Sequence, residues 1–508
     1  MVTLRFPQKN RNFALRKTFR QPHTHRTMHP AIMSLSASEW AYHIVMASYA
    51  LTVLSVILVV ISENRNPVRS LAWITAVLLL PVAGIVLYAF FGRSLKNRQL
   101  LTRRMRDNLQ SYAPPTHVNE NSLPLSDESK QQIRLAKSLV GAFYFACDDI
   151  EIFTAGKEKF DALERDLEAA RHSICLQYYI FEDDSTGQRF KDILIRKASQ
   201  GVCVRVIYDH VGSFPVRSSF YREMRQKGVQ VAPFMRITFP QFANRVNWRN
   251  HRKVAVIDGH TGYIGGMNIA DRYIDGVDYG VWRDTHLRLT GDAARGLQLI
   301  FALDWNAASG EVIGLPPAPA FHHYEATTGV QYLISGPTSR WSNIELMFQK
   351  AIANARRRVF IQTPYFLPTD NLLRSMQTAA LAGVDVKVMF PRRCDSVMLN
   401  LASRSYVKEC LEAGIKVYLY HKGMLHAKTV LVDDEFCSTG SANFDFRSFE
   451  HNFECNAMIY GKEFNSRMAA IFEEDLLACD PVDPVQWLSR PRVTQLKESL
   501  VRLMSPIL

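Results

Sequence analysis

Two apolar runs dominate the first hundred residues, Ala41 to Ile61 and Leu71 to Phe91, each about 21 residues long and free of Asp, Glu, Lys and Arg. As helices they would extend about 31 Å at 1.5 Å per residue, which matches a hydrocarbon core. The pattern predicts two membrane-spanning helices joined by the short loop Ser62 to Ser70. Pro81 falls inside the second run and predicts a kink, which membrane helices tolerate. A cleaved leader would have a shorter apolar region and no second run so close behind it.

Beyond a polar linker assigned to 93–135, which includes Pro114-Pro115, short β-branched runs alternate with helical patterns, and the order of elements occurs twice. Phe160, Leu163, Leu167 and Ala170 fall at helical spacing before the strand-like run Ile174 to Phe181. In the second copy Ser342-Asn343-Ile344-Glu345 reads as a capping box opening a helix that leads to Val359 to Phe366. Each copy continues through a helix and a glycine (Gly201; Gly383) to a strand at Val202 to Tyr208 or Val384 to Phe390. A further helix, glycine and strand follow at Phe220 to Val231 and at Tyr406 to Leu419. This alternation predicts an α/β protein with substantially parallel pairing, built as two homologous domains at 136–322 and 323–508 that pack pseudo-symmetrically. They follow a basic segment, 1–40, and a transmembrane hairpin, 41–92.

The repeat ends in its chemically loaded part. His251-Arg252-Lys253 runs on to Asp258, and His426-Ala427-Lys428 runs on to Asp433, with the same spacing. After six further residues come Gly265-Gly266-Met267-Asn268 and Gly440-Ser441-Ala442-Asn443. In an extended strand residues i and i+2 share a face, so each copy is expected to present an imidazole beside a fixed cation. Two such pairs facing across a pseudo-two-fold axis would suit an anionic phosphodiester. One histidine can attack phosphorus and form a phosphohistidine while the other protonates the leaving alkoxide and later deprotonates the incoming alcohol. The lysines, with the Asn268 and Asn443 amides, are placed on the non-bridging oxygens. No metal or other cofactor is required. A histidine nucleophile needs one tautomer fixed by a carboxylate, and the repeat offers Asp284 and Glu454. Asp258 and Asp433 complete the motif and are counted in the catalytic set, although fixing loops suits them better than touching phosphorus.

Charge and composition change the picture in three places. The net charge of +13 predicts attraction to polyanions, lipid surfaces and nucleic acids alike. Basic residues from Arg5 to Arg26 precede the first apolar run, and Arg93, Lys96, Arg98, Arg103, Arg104 and Arg106 follow the second. By the positive-inside rule the N-terminus and everything beyond Gly92 face the cytoplasm. The eight cysteines lack zinc or CxxC spacing and are read as reduced thiols, while His23, His25, His322 and His323 are read as surface residues. Met28 and Met33 offer alternative starts. Tyr178, Tyr179, Phe181, Tyr365 and Phe366 suit either an acyl-chain groove or core. Val493, Leu496, Leu500, Leu503 and Met504 predict an amphipathic C-terminal helix.

The duplicated His-x-Lys-x4-Asp with its Gly-x-x-Asn tail resembles the phospholipase D superfamily, and the chain is similar within it to the bacterial cardiolipin synthases. Asn64-Arg65-Asn66-Pro67, Tyr88 to Arg93, Asn250 to Lys253, Trp282-Arg283-Asp284, Asn443 to Ser448 and Ser505 to Leu508 carry the likeness. The long basic segment before Trp40 departs from it. The resemblance implies two α/β/α domains with the active site between them, and transfer of a phosphatidyl group between two phosphatidylglycerols with release of glycerol. It further implies His251 as the nucleophile and a multi-pass protein of the bacterial inner membrane, working on its cytoplasmic side among anionic lipids. Hydrolysis, or transfer using another alcohol or an ethanolamine lipid, would employ the same motifs. A nuclease of the superfamily is opposed by the apolar runs, so no nucleic-acid partner is expected. A decayed scaffold is opposed by the intact motifs.

Overall fold

The computed structural model describes residues 37–62, 67–88, 92, 100–101, 104–105, 107, 123–147, 149–237, 247–314 and 328–505. Outside them lie the basic flank from Arg5 to Arg26, all but Arg104 of the basic group after Gly92, Pro114-Pro115, and His23, His25, His322 and His323. The chain divides into two compact units, 1–85 and 86–508.

In the first unit the apolar run becomes one continuous helix, Ala37–Ser62. Among the described residues it holds the one helix, Ser38–Ser62, long and apolar enough to cross a membrane. The second run is divided: Pro67–Leu79 forms one helix, Leu80 leaves helical geometry, and Pro81–Leu87 starts another. Pro81 lacks an N–H and disfavours helical backbone at Leu80, so it serves as the first residue of a new helix. The bend is tight. A Cβ on Gly84 would lie 2.5 Å from the Ala76 carbonyl oxygen, so glycine is needed there.

The second unit contains two large mixed sheets. The first runs, in spatial order, Ile150–Phe153, His286–Thr290, Thr261–Gly265, Val254–Ile257, Ser173–Tyr178, Cys203–Asp209 and Gln230–Phe234. The second has the same order at its centre: Gly329–Ser335, Glu454–Tyr460, Phe436–Gly440, Thr429–Val432, Arg358–Gln362, Asp385–Pro391 and Lys416–Tyr420. In both, the last three strands are parallel and the others antiparallel. Tyr144–Ala146 and Cys479–Pro481 extend the second sheet at its two edges. The chain therefore enters the second sheet before building the first, and the helix Asp127–Val140, at the boundary of the assigned linker, packs against that sheet's strand and helix.

Helices explain the continuous apolar character of the central strands, because a strand covered on both faces needs no polar side. Val254–Ile257 and Thr429–Val432 are buried throughout. One hydrophobic cluster spans the two halves, joining Trp248, Val254, Leu287 and Phe301 to Phe360, Leu431, Phe453 and Phe472. The halves share a core as well as an interface.

Two local expectations need correction. The helix predicted after Ser342 forms at Asn343–Ala353, but the Ser342 side chain makes no capping bond, and Glu345 instead accepts from Thr369 Oγ1 at 2.6 Å. The His-x-Lys triplets, expected inside strands, sit just before Val254–Ile257 and Thr429–Val432. Their backbone is engaged across the interface instead. His251 N–H donates to Phe453 O at 2.9 Å and His426 N–H to Arg283 O at 2.6 Å.

Candidate active site

Those two backbone bonds set the site. In the first, Asn250 bridges Phe453, so the segment entering His251 runs beside the segment entering Glu454. In the second, Gly423–Leu425 pairs in parallel with Val281–Arg283, so the segment entering His426 runs beside the one entering Asp284. The backbones approach closely. A Cβ on Gly280 would lie 2.0 Å from Lys422 O, and one on Gly423 would lie 2.1 Å from Val281 O.

Each histidine consequently meets the carboxylate of the other half. His251 Nδ1 lies 3.0 and 3.2 Å from the two Glu454 oxygens, and His426 Nδ1 lies 2.6 Å from Asp284 Oδ2. A carboxylate at Nδ1 requires that nitrogen to carry the proton, which leaves the Nε2 lone pair available. Sequence reasoning named both carboxylates but not this exchange between halves.

The lysines turn back to their own histidines. Lys253 Nζ donates to His251 O at 2.5 Å, and Lys428 Nζ donates to His426 O and lies 2.9 Å from His426 Nδ1. Tyr179 stands edge-on to His251 at 5.0 Å, with Lys253 over its ring at 5.3 Å. Trp282 and Tyr273 stand against His426 at 5.1 and 6.3 Å. Of the aromatics left open between groove and core, Tyr178, Phe181 and Phe366 are core, Tyr179 lies at the site, and Tyr365 donates to Asp395 at 2.8 Å.

Burial governs the electrostatics. It lowers both histidines below their ordinary range, with the neighbouring lysines adding to the effect and the carboxylates opposing it; His426 falls to about 4. Both imidazoles are therefore neutral near pH 7. Burial also pulls Lys428 down to about 8 against the pull of Asp284 and Glu454, and Lys253 well below its usual value. For Glu454 and Asp284 burial alone would raise the carboxyl, but the nearby lysine charges and the hydrogen bonds from the facing histidines outweigh it and hold both as carboxylates.

The motif aspartates stand elsewhere, in the loop-fixing positions that suit them better than contact with phosphorus. At about 3.3 Å per residue, Asp258 is roughly 23 Å along the chain from His251. Its carboxylate accepts the N–H groups of Arg171, His172 and Ser173 at 2.7–2.8 Å. Asp433 does the same for Arg356, Arg357 and Arg358 at 2.8–3.2 Å. Both aspartates have φ of 51°, a left-handed conformation that Asp tolerates. They lock the start of a neighbouring strand.

The asparagines are also engaged structurally. Asn268 accepts from Ile180 N–H at 3.1 Å and donates to Tyr273 Oη at 2.6 Å. Asn443 donates its backbone N–H to Ser448 Oγ at 3.0 Å, and its buried Oδ1 has no hydrogen-bond partner among the described residues.

Sequence reasoning missed a pair of arginine clamps. Arg252 contacts Asp304 at 2.5–2.6 Å and donates through Nε to Glu454 O at 3.1 Å. Arg283 forks onto Asp475 at 2.6 and 3.0 Å and donates to Asp284 O at 2.6 Å. Gln177 and Gln362 donate to the same aspartates at 2.5 and 2.7 Å. Each carboxylate residue is thus held by an arginine seated on a helix aspartate. The signal was the recurrence of Gln177 and Gln362 at matching places in the repeat.

Comparison with known proteins agrees with this architecture. The family described as "Cardiolipin synthase, PLD-like domain" matches residues 163–279 and 348–476, and "Phospholipase_D-nuclease N-terminal" matches 50–93. The cardiolipin synthase of Geobacillus sp. (strain WCH70) is 38% identical over 463 residues, covering 90% of this chain and 92% of its own length. The chain belongs to the cardiolipin synthase family of phospholipase D-like proteins. The major cardiolipin synthase of Bacillus subtilis (strain 168) is 37% identical over 473 residues, covering 91% of this chain and 98% of its own. Membership in the cardiolipin synthase family makes the chain an enzyme of the phosphatidyltransferase class. A crystal structure of phosphatidylserine synthase from Haemophilus influenzae Rd KW20 superposes with a TM-score of 0.58 at 15% identity, covering 74% of this chain and all of that one. That likeness supports the fold alone.

Proposed function

We propose that this cardiolipin synthase joins two phosphatidylglycerols through a phosphohistidine on His251, with His426 as the acid and base. One observation supports the reading most: two buried imidazoles, each with Nδ1 on a carboxylate of the opposite half and each beside a lysine.

In the first step His251 Nε2 attacks phosphorus, the bond from phosphorus to the glycerol headgroup oxygen breaks, and His426 Nε2–H protonates the departing alkoxide. In the second, the terminal hydroxyl of another phosphatidylglycerol attacks, His426 takes its proton, and the P–N bond breaks. Glycerol and cardiolipin are the products. The charges balance around this cycle. The negative charge of the phosphodiester favours uptake of one proton, which settles on an imidazole. The substrate thereby raises the depressed His426 into its acid form. The lysines hold the non-bridging oxygens; Asn268 and Asn443 hold the loops that shape the site.

The apolar segments are proposed as a hairpin in the bacterial inner membrane, with both ends and the catalytic unit on the cytoplasmic side. The helix pair Pro67–Leu79 and Pro81–Leu87 forms its kinked second arm. The test supplies phosphatidylglycerol to the protein in nanodiscs and follows products by mass spectrometry. Cardiolipin with an equal amount of glycerol is expected. Phosphatidic acid as the sole product would make water the acceptor and replace synthase by hydrolase.

A further inference from the structure

The C-terminal helix Arg492–Arg502 is turned the wrong way round for a water-facing surface. Val493, Leu496, Leu500 and Leu503 are 57–78 % exposed, whereas Glu498 on the opposite face is 3 % exposed. Glu498 forms a two-pronged ion pair with Arg490 at 2.8 and 2.9 Å, and Arg490 stacks on Trp487 at 3.5 Å. Arg502, also partly covered, pairs with Glu409. Polar groups fasten the helix inward and its apolar stripe points out.

At 100° per residue the four apolar positions occupy one sector, with Lys497 beyond one edge and Arg492 beyond the other. Both cations are exposed. An apolar stripe bordered by basic residues is the design of a helix lying in a membrane interface, its lysines and arginines reaching to the headgroups. One neighbouring helix links the stripe to the loop nearest the site. The helix packs against Val397–Ser405, whose first residue is also exposed and follows the loop carrying Asp395, an aspartate close enough to act on the charge of His426.

We propose that this stripe, resting on the reading of the substrate given above, docks the catalytic unit onto an anionic phospholipid surface and presents the site to lipid headgroups. Charge decides among occupants. A second copy would bring its own Lys497 and Arg492 against these, and the chain's N-terminal segment is likewise basic. An anionic bilayer complements the borders.

The test uses the full chain in nanodiscs. Leu496→Glu with Leu500→Glu keeps good helix formers at exposed positions. In phosphatidylglycerol nanodiscs the double variant is expected to lose turnover about tenfold or more. In phosphatidylcholine nanodiscs given monomeric short-chain phosphatidylglycerol it is expected to match the wild type. A phosphatidylglycerol with a photoreactive acyl chain should label wild-type residues 492–505. Wild-type turnover of bilayer lipid by the variant, equal loss on the soluble lipid, or cross-links to a second copy without lipid labelling would each overturn the proposal. If the wild type made no cardiolipin from either lipid, the reading of the reaction would fall, while the labelling would still decide the docking.

Discussion

The His251 and His426 sites use the same parts under different constraint. Glu454, which supports His251, also accepts from Ser441 Oγ at 2.5 Å and Asn452 Nδ2 at 3.1 Å. Asp284, which supports His426, is shorter and accepts from the Thr285 N–H at 2.7 Å. The Ser441 position is Gly266 in the other half, where a Cβ would lie 2.1 Å from Asp284 Oδ1. Behind Asp284 stand buried Lys159, which contacts Tyr178 Oη at 3.1 Å, and His286, neither of whose ring nitrogens has a hydrogen-bond partner among the described residues. The position of His286 in the second half is Asn456, whose amide bonds Ala442 N–H and Ser438 Oγ. On the proposed scheme, the more heavily bonded Glu454 suits the nucleophile, which must hold one geometry, and Asp284, backed by buried titratable side chains, suits the histidine whose protonation changes.

Variants can break or sharpen this contrast. The largest effect belongs to the imidazoles: His251→Ala and His426→Ala should each reduce cardiolipin formation by about 10⁴-fold or more, and substantial activity in either would end the two-histidine scheme. Next come the carboxylates. Glu454→Gln and Asp284→Asn should each cost roughly 10²–10⁴-fold in kcat by releasing the tautomer. They should differ on a phosphatidyl ester of p-nitrophenol, whose leaving group needs no acid. Release of p-nitrophenol should recover in Asp284→Asn and stay low in Glu454→Gln; equal recovery would erase the distinction.

Titration separates the groups further. Both histidines lie below their ordinary range, so the acid limb of kcat/KM should fall below pH 6.5, the usual imidazole value. Lys428, lowered to about 8, loses its proton as pH rises through that value. The alkaline limb of kcat, where bound substrate already keeps His426 in its acid form, should begin there and move upward in Lys428→Arg. The smallest effect on rate belongs to the motif aspartates. Asp258→Ala should lower unfolding stability by about 1–3 kcal/mol through three orphaned N–H groups, with turnover per folded molecule little changed. Thermal unfolding followed beside activity would check this.

The division between these variants also shows what was readable in advance. The repeated alternation of strand, helix and glycine made both sheets legible because each element is local and the second copy confirms the first. His251, Lys253, His426 and Lys428 were legible for the same reason. The exchange of Glu454 and Asp284 between halves was not, because it depends on how two sheets dock. Asp258 and Asp433 were drawn toward chemistry by their place in the motif, although an extended strand carries them far from the imidazoles. Arg252 lies between the two motif residues, and only its salt bridge to Asp304 and its bond to Glu454 O give it a function. The second apolar run had the length of a span, but Pro81 divides it into two helices.

The most direct test of the two-histidine account is to trap the intermediate. His426→Ala with the p-nitrophenyl lipid should form the covalent adduct without needing an acid and should then lack the base that activates an acceptor. After rapid denaturation at alkaline pH, where a phosphohistidine survives, peptide mass spectrometry should find the phosphatidyl group on His251. A burst of p-nitrophenol with no adduct on His251, or with the adduct on another residue, would contradict the account.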